Sequence, residues 1–168
     1  FRAQTEADLA LLTEAERAKG ERIIIARKTT QSIRARAELR RILGRYLGID
    51  PTAVRFVYGE HQKPDLDPEQ QPAGAHLSFN LSHSEAAGLV AITLAPRAVE
   101  LGVDVEHTRD NRDLLGIAGS FFAPDELETL TALDPDARTD GFYRAWTCKE
   151  AYLKALGTGL SFPSTGFS

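Results

Sequence analysis

The sequence has a single cysteine, Cys148, and no methionine among its 168 residues. One cysteine cannot form an internal disulfide, which is compatible with a reducing compartment, so we expect a cytoplasmic location. No apolar run is long enough to cross a bilayer, and no signal peptide is recognisable. Because the chain starts at Phe1 without a methionine and stops at Phe167-Ser168 in what reads as a new strand, we expect it to be part of a longer chain.

The sequence as a whole also has no excess of basic over acidic residues. The net charge of −4 at pH 7 argues against a nucleic-acid binder, for which a basic surface is expected. The exception is residues 17–46, where ten Lys and Arg residues stand against two Glu. A basic segment in an acidic protein suggests a polyanionic small ligand or an acidic partner, although a solvated helix face has the same composition.

The hydrophobic periodicity predicts an α+β protein. Its length of 168 residues fits one ordinary domain or two small halves packed together. Apolar residues recur at helical spacing over 29–47 and end at Gly48. The pattern predicts strands at 54–58, 77–81, 89–94 and 100–105, a loop over 59–76, and helices at 114–122, 125–133 and 140–156. Strands in a meander followed by helices favour an α+β domain over a doubly wound sheet.

Two carboxylates lie in the last predicted strand, in the run Leu-Gly-Val-Asp-Val-Glu at 101–106. Side chains alternate along a strand, so Asp104 and Glu106 share one face. Like charges at this spacing repel each other unless a cation lies between them, and Mg²⁺ favours carboxylate, phosphate and water oxygens. An isolated Asp-x-Glu pair is nevertheless common on solvated strand faces.

A second motif occupies the last predicted helix. Glu150 and Lys154 lie one turn apart on the same side of that helix. A surface Glu–Lys pair of this kind is worth only ~0.3–0.5 kcal/mol. In a functional site, Glu150 would be a third metal ligand or a base, and Lys154 would be a cation for phosphate oxygens.

A third motif, Phe-Asn-Leu-Ser-His-Ser at 79–84, ends an apolar strand with polar groups. Hydroxyl, imidazole and backbone N–H groups there could bind an anion, or simply cap a turn. The neighbouring Ser82 and His83 do not indicate a hydrolase, because adjacent strand residues point apart and no Gly-x-Ser-x-Gly motif is present.

In this order and spacing, the three motifs resemble the Sfp-type 4′-phosphopantetheinyl transferases. The resemblance extends through Trp-x-x-Lys-Glu-Ala-x-x-Lys-Ala-x-Gly-x-Gly-Leu-Ser at 146–161, Lys63-Pro64, and Phe-Phe-Ala-Pro-Asp-Glu at 121–126. The sequence departs from the family at Gln62, where a glycine is usual, and at 28–31, where the family often has Asp-Arg-x-Arg.

The resemblance implies two similar α+β halves related by a pseudo-twofold axis, with coenzyme A between them. We expect the halves at 1–98 and 99–168, the second lacking its final strands. The implied activity is that of a Mg²⁺-dependent holo-[acyl-carrier-protein] synthase. It moves 4′-phosphopantetheine from coenzyme A to a serine of an apo acyl or peptidyl carrier protein and releases 3′,5′-ADP. We expect a monomer that binds neither nucleic acid nor a membrane.

The resemblance also assigns roles residue by residue. Asp104, Glu106 and Glu150 would hold Mg²⁺, and Glu150 and Lys154 would be catalytic. The groups expected to bind coenzyme A are Lys154 at the pyrophosphate, Ser82 and His83 at the phosphates with His83 at the 3′-phosphate, Lys19 near the 3′-phosphate, and Lys63 and Pro64 beside the adenine. Arg36 or Ser32 could replace the 3′-phosphate contacts missing at 28–31.

Three alternatives stay open on the sequence alone. The same carboxylates would suit a Mg²⁺-dependent phosphotransferase or pyrophosphate hydrolase acting on another nucleotide. A non-catalytic module could bind coenzyme A or a carrier protein, although the complete set of carboxylates argues against a decayed enzyme. A helical nucleic-acid binder using 17–46 is disfavoured by the acidic net charge.

Overall fold

The computed structural model of the chain describes residues 6–22, 26–59, 61–85, 87–109, 113–159 and 164–168. The helices in these ranges are α1 (Glu6–Ala10), α2 (Glu14–Glu21), α3 (Ala26–Leu47), α4 (Leu114–Phe121), α5 (Pro124–Ala132) and α6 (Pro135–Leu156). The strands are β1 (Phe56–Tyr58), β2 (Pro64–Leu66), β3 (His76–Ser84) and β4 (Ala87–Ala95). In the described part of the chain, no helix combines the length and apolar character needed to cross a membrane.

The helix ends follow from local sequence signals. At the start of α2, Thr13 and Glu16 form a capping box, in which each side chain accepts a hydrogen bond from the other's backbone N–H. Gly48, with φ of 67°, follows α3, and Gly157, with φ of 73°, caps α6. Both glycines adopt the left-handed conformation that other residues avoid. The predicted helices are confirmed, and α6 begins five residues earlier than expected, at Pro135.

Two antiparallel two-stranded sheets replace the predicted meander. β3 pairs with β4 along its whole length, from His76 opposite Ala95 to Ser84 opposite Ala87. β1 pairs with β2, which lies in the segment predicted to be a loop. That part of the loop prediction is wrong because β2 is only three residues long and begins with a proline, so it lacks an alternating pattern.

Two of the core clusters lie on opposite sides, in the sequence, of the expected boundary between residues 98 and 99. The first cluster joins α3 to the strands and consists of Leu39, Leu43, Val54, Leu66, Leu77 and Phe79. The second lies among α4, α5 and α6 and consists of Ala118, Phe122, Leu130, Phe142 and Tyr143. The boundary between two halves at this point stays a prediction.

A buried arginine joins α2 to α3. Arg40, with 2% of its surface exposed, pairs with Glu16 at 2.9 Å. It also donates to the carbonyl oxygens of Pro51 and Val54, at 3.1 and 2.8 Å. Since a buried guanidinium needs this full set of acceptors, the contacts fix the position of α2, which carries Lys19.

The strand predicted at 100–105 is absent: residues 99–107, here called the tethered segment, have no regular secondary structure. The segment is instead attached to β3 through side chains. Its backbone N–H groups at Val99, Val103, Val105 and His107 donate to side-chain oxygens of Ser78, Asn80, Ser82 and Ser84, respectively. Because β3 supplies side chains rather than backbone groups, the tethered segment runs parallel to it without forming a ladder.

Candidate active site

The tethered segment brings Asp104 to the end of β3 and to α6. The hydroxyl of Ser82 donates to Asp104 Oδ1 at 2.8 Å, and Lys154 of α6 forms an ion pair with the same carboxylate. Lys154 Nζ also donates to Ser82 Oγ at 2.8 Å. The Asp104 side chain is 3% exposed, and its Oδ2 atom is buried with no hydrogen-bond partner among the described residues. A buried carboxylate oxygen without a partner is a favourable place for a cation.

The second carboxylate of the tethered segment faces the same strand. Ser84 Oγ donates to Glu106 Oε2 at 3.0 Å, just as Ser82 donates to Asp104. Asp104 and Glu106 therefore both point towards β3, in agreement with the alternation in the sequence. Asp104 is the buried member of the pair, whereas Glu106 is exposed.

The third carboxylate, Glu150, reaches the site from α6. Burial raises the pKa of Glu150 above its ordinary value, and repulsion from Asp104 and, more weakly, Glu106 raises it further, while Lys154 opposes the shift. The three carboxylates are thus close enough to interact electrostatically. Within the ranges that the structure describes, however, no three His, Cys, Asp or Glu side chains form a compact metal cluster.

Glycine allows the tethered segment to approach α6 closely. A Cβ atom at Gly102 would overlap the carbonyl oxygen of Ala151 and lie 2.5 Å from the backbone nitrogen of Ala155. The small side chains of α6 at this point serve the same close packing. The approach sets the distance from Asp104 to Glu150 and Lys154, so Gly102 is a site residue that the search for chemical groups missed.

Lys63 also connects the tethered segment to α6, and we call the contact region of these two elements the junction. Its ammonium group donates to the carbonyl oxygens of Leu101, at 3.2 Å, and Ala155, at 2.6 Å. Burial lowers the pKa of Lys63, and the negative charges of Glu100 and Asp65 counteract the shift. The ammonium therefore joins the tethered segment to the end of α6, which sequence reasoning did not foresee.

Two cavities are lined by residues that the sequence analysis assigned to coenzyme A. The larger, of about 700 Å³, is bordered by Lys63, Pro64, the start of the tethered segment and Gly157. A smaller cavity of about 150 Å³ lies between α2 and α3, and its lining includes Lys19, Ser32, Arg36 and His83. The structure thus brings together the basic and polar groups that the sequence analysis had assigned to the 3′-phosphate.

The titratable groups in the lining of the smaller cavity include His83, Arg36, Lys19 and Glu16. Although His83 is exposed overall, desolvation by the surrounding protein lowers its pKa, and the charge of Lys154 lowers it further. Arg36 lies 3.5 Å from Glu16 and stacks 4.7 Å from the ring centroid of Phe56. Its Nη1 atom is buried without a hydrogen-bond partner among the described residues.

Lys149, the neighbour of Glu150 in the helical motif, has a structural role. Lys149 is buried and pairs with Glu126 at 2.7 Å. It also donates to the carbonyl oxygens of Ser164, at 2.9 Å, and Phe167. Lys149 therefore attaches the last residues of the chain to α5 and α6, while Glu150 faces the carboxylate site.

Residues 100–168 match the 4′-phosphopantetheinyl transferase superfamily. These residues belong to this superfamily. It is 39% identical over 152 residues to the 4′-phosphopantetheinyl transferase HetI of Nostoc sp. (strain PCC 7120 / SAG 25.82 / UTEX 2576), an alignment that covers 90% of this chain and 62% of the relative. It is 35% identical over 130 residues to the 4′-phosphopantetheinyl transferase Sfp of Bacillus subtilis (strain 168), which covers 77% of this chain and 53% of that relative.

A more distant relative is the L-aminoadipate-semialdehyde dehydrogenase-phosphopantetheinyl transferase of Mus musculus, 26% identical over 84% of this chain and 47% of the relative. The chain therefore spans between about half and 62% of the lengths of these phosphopantetheinyl transferases. The resemblance inferred from the motifs is confirmed, and the mixture of helices and small sheets confirms the α+β class.

We expect Gly102→Ala to disrupt the site through packing alone. The added methyl group would push the tethered segment away from α6, because it meets backbone atoms that cannot rotate aside. Overpacking of this kind costs ~1–3 kcal/mol, measurable by urea denaturation. Gly119→Ala is the matched control, since a Cβ atom there meets nothing within 4 Å. Equal stability of the two variants would contradict the proposed close approach.

Proposed function

We propose that the protein transfers 4′-phosphopantetheine from coenzyme A to a serine of an apo carrier protein. The observation that carries the proposal is the buried carboxylate of Asp104, which pairs with Lys154 and keeps one oxygen without a hydrogen-bond partner among the described residues. Glu106 and Glu150 lie close enough to interact with it electrostatically. The relatives named as 4′-phosphopantetheinyl transferases support the reaction class. A cytoplasmic location and a monomeric state are further parts of this proposal.

The carboxylates fit Mg²⁺ by their chemistry. All three supply hard oxygen donors, and their mutual repulsion is one of the causes that raise the pKa of Glu150. Asp104 Oδ2 is buried without a hydrogen-bond partner in the described ranges. We therefore assign Asp104, Glu106 and Glu150 as the residues that would hold the ion. When bound, Mg²⁺ would neutralise charge on the pyrophosphate of coenzyme A.

The chain's own residues supply the proton transfer and charge stabilisation. The hydroxyl oxygen of the carrier serine bonds to the β-phosphorus. The bond from that phosphorus to the bridging oxygen breaks, and 3′,5′-ADP leaves with the electron pair. Glu150, the carboxylate that α6 brings to the site, accepts the serine proton directly or through a water molecule. Lys154 can exchange its contact with Asp104 for the pyrophosphate oxygens and stabilise the charge that develops there.

The two cavities suggest how coenzyme A is held. The larger one, bordered by Lys63 and Pro64, has room for the adenine. Because the ammonium of Lys63 is engaged with backbone carbonyls, the lysine would contribute mainly its aliphatic chain. The smaller cavity, with Lys19 and His83 in its lining, suits the 3′-phosphate.

Mass spectrometry of an apo acyl carrier protein incubated with the protein, coenzyme A and Mg²⁺ tests the reaction. We expect the carrier to gain one phosphopantetheine group, and EDTA to prevent the gain. Asp104→Ala should reduce the rate by at least ~100-fold, because it removes the buried carboxylate of the site. Asp140→Asn changes an exposed carboxylate of α6 and should leave the rate unchanged.

Two results of this experiment would count against the proposal. Wild-type rates in Asp104→Ala at limiting Mg²⁺ would contradict the metal-site assignment. A folded protein that is saturated with coenzyme A but modifies none of several carriers would contradict the transferase reaction itself, and would favour a binding module.

We also expect Lys19→Met to weaken selection for the 3′-phosphate. In this variant, the ratio of kcat/KM for coenzyme A to kcat/KM for 3′-dephospho-coenzyme A should fall about ten-fold. That factor corresponds to the ~1.4 kcal/mol of a charge-assisted hydrogen bond. Arg45→Gln removes an exposed charge at the end of α3 and serves as the control. An unchanged preference in Lys19→Met would place the 3′-phosphate elsewhere.

A further inference from the structure

The attachment of the tethered segment to β3 contains the same arrangement twice. Ser82 accepts from the backbone N–H of Val105, at 3.3 Å, and donates to the carboxylate of the preceding residue, Asp104. Two residues further along both β3 and the tethered segment, Ser84 accepts from the N–H of His107, at 3.1 Å, and donates to the preceding carboxylate, that of Glu106. Each serine therefore fixes one backbone position of the segment and also orients one carboxylate.

The hydroxyl of Ser82 is fully used by this arrangement. A hydroxyl has one proton to donate and two lone pairs that accept. Ser82 donates to Asp104 and accepts from Lys154 Nζ, at 2.8 Å, and from Val105 N. In this state the hydroxyl has no capacity left for a phosphate oxygen, so its contacts are those of a group that orients Asp104.

Ser84 makes the equivalent contacts at a more open position. Its proton is donated to Glu106 Oε2, which leaves Oε1 of the same carboxylate available. Glu106 is exposed, so without this bond its side chain would sample several rotamers. The bond from Ser84 therefore selects one orientation of Glu106, while the backbone bond to His107 fixes its position along β3.

We propose that Ser84 is a positioning residue for Glu106, as Ser82 is for Asp104. The two serines set both the spacing and the orientation of the carboxylates on the tethered segment. This inference rests on the proposed function, because it treats Glu106 as a group that holds the divalent cation.

The test compares Mn²⁺ affinity among variants, measured by electron paramagnetic resonance with saturating coenzyme A and no carrier protein. Loss of a residue that orients a metal ligand weakens metal binding by roughly 10–100-fold, and we expect about ten-fold for Ser84→Ala. Ser84→Thr retains a hydroxyl and should retain the affinity. Ser78→Ala is the matched control: Ser78 also holds the segment, through Val99 N at 3.1 Å, but it bonds to no carboxylate among the described residues.

The outcomes separate this inference from the proposed function. Wild-type affinity in Ser84→Ala, together with a loss in Asp104→Ala, would overturn the role of Ser84 while the metal site stands. Equal losses in Ser84→Ala and Ser78→Ala would overturn it too, by assigning the effect to attachment of the segment alone. Wild-type Mn²⁺ affinity in Asp104→Ala would contradict the metal-site assignment, and the role of Ser84 would fall with it. Weakened binding in Ser84→Ala with recovery in Ser84→Thr supports the proposal.

Discussion

The structure depends on the attachment of the tethered segment to the polar side chains of β3. Ser78, Asn80 and Ser82 are all buried, with at most 7% of their surface exposed. Buried polar groups require partners, and these three find them in the backbone N–H groups of the segment. Separation of the segment from β3 would leave donors and acceptors unpaired on both sides, at ~1–3 kcal/mol for each group that stays buried. The position of Asp104 is therefore fixed by the backbone on either side of it.

The other side of the segment is fixed by α6. Gly102 admits close approach to the helix backbone, and Lys63 joins the carbonyl oxygens of Leu101 and Ala155. A positive charge at the C-terminal end of a helix also interacts favourably with the helix dipole. Together these contacts bring carboxylates from two separate parts of the chain to one junction, despite their repulsion. Lys154 offsets part of that repulsion through its ion pair with Asp104.

The sequence was most informative where the physical signal is local. Helical periodicity and Gly48 predicted α3 and its end, and periodicity predicted the last residue of α6. The order and spacing of the three motifs predicted the superfamily. The alternation at 100–105 predicted a strand wrongly, because a segment held by alternate side chains of its neighbour has the same period as one held by a backbone ladder. The orientation of Asp104 and Glu106 followed correctly from that period even though the strand did not.

What the sequence could not provide were the contacts between distant parts of the chain. Lys149 reads as a surface residue of a helix, and its burial depends on the return of residues 164–168. Lys63 resembles a ligand-binding lysine, yet its partners are carbonyl groups that only the packing of α6 brings near. Both are basic residues used to join segments, and composition does not distinguish that use from binding of an anion.

In the proposed function, Asp104, Glu106 and Glu150 hold the cation at the pyrophosphate, away from the cavity that contains Lys19 and His83. Phosphorus-31 NMR of protein-bound coenzyme A with trace Mn²⁺ tests this claim most directly, since paramagnetic broadening falls steeply with distance from the ion. We expect strong broadening of the pyrophosphate resonances, much weaker broadening of the 3′-phosphate resonance, and loss of this difference in Asp104→Ala. Equal broadening of all the phosphorus resonances, or a pattern that Asp104→Ala leaves unchanged, would contradict it.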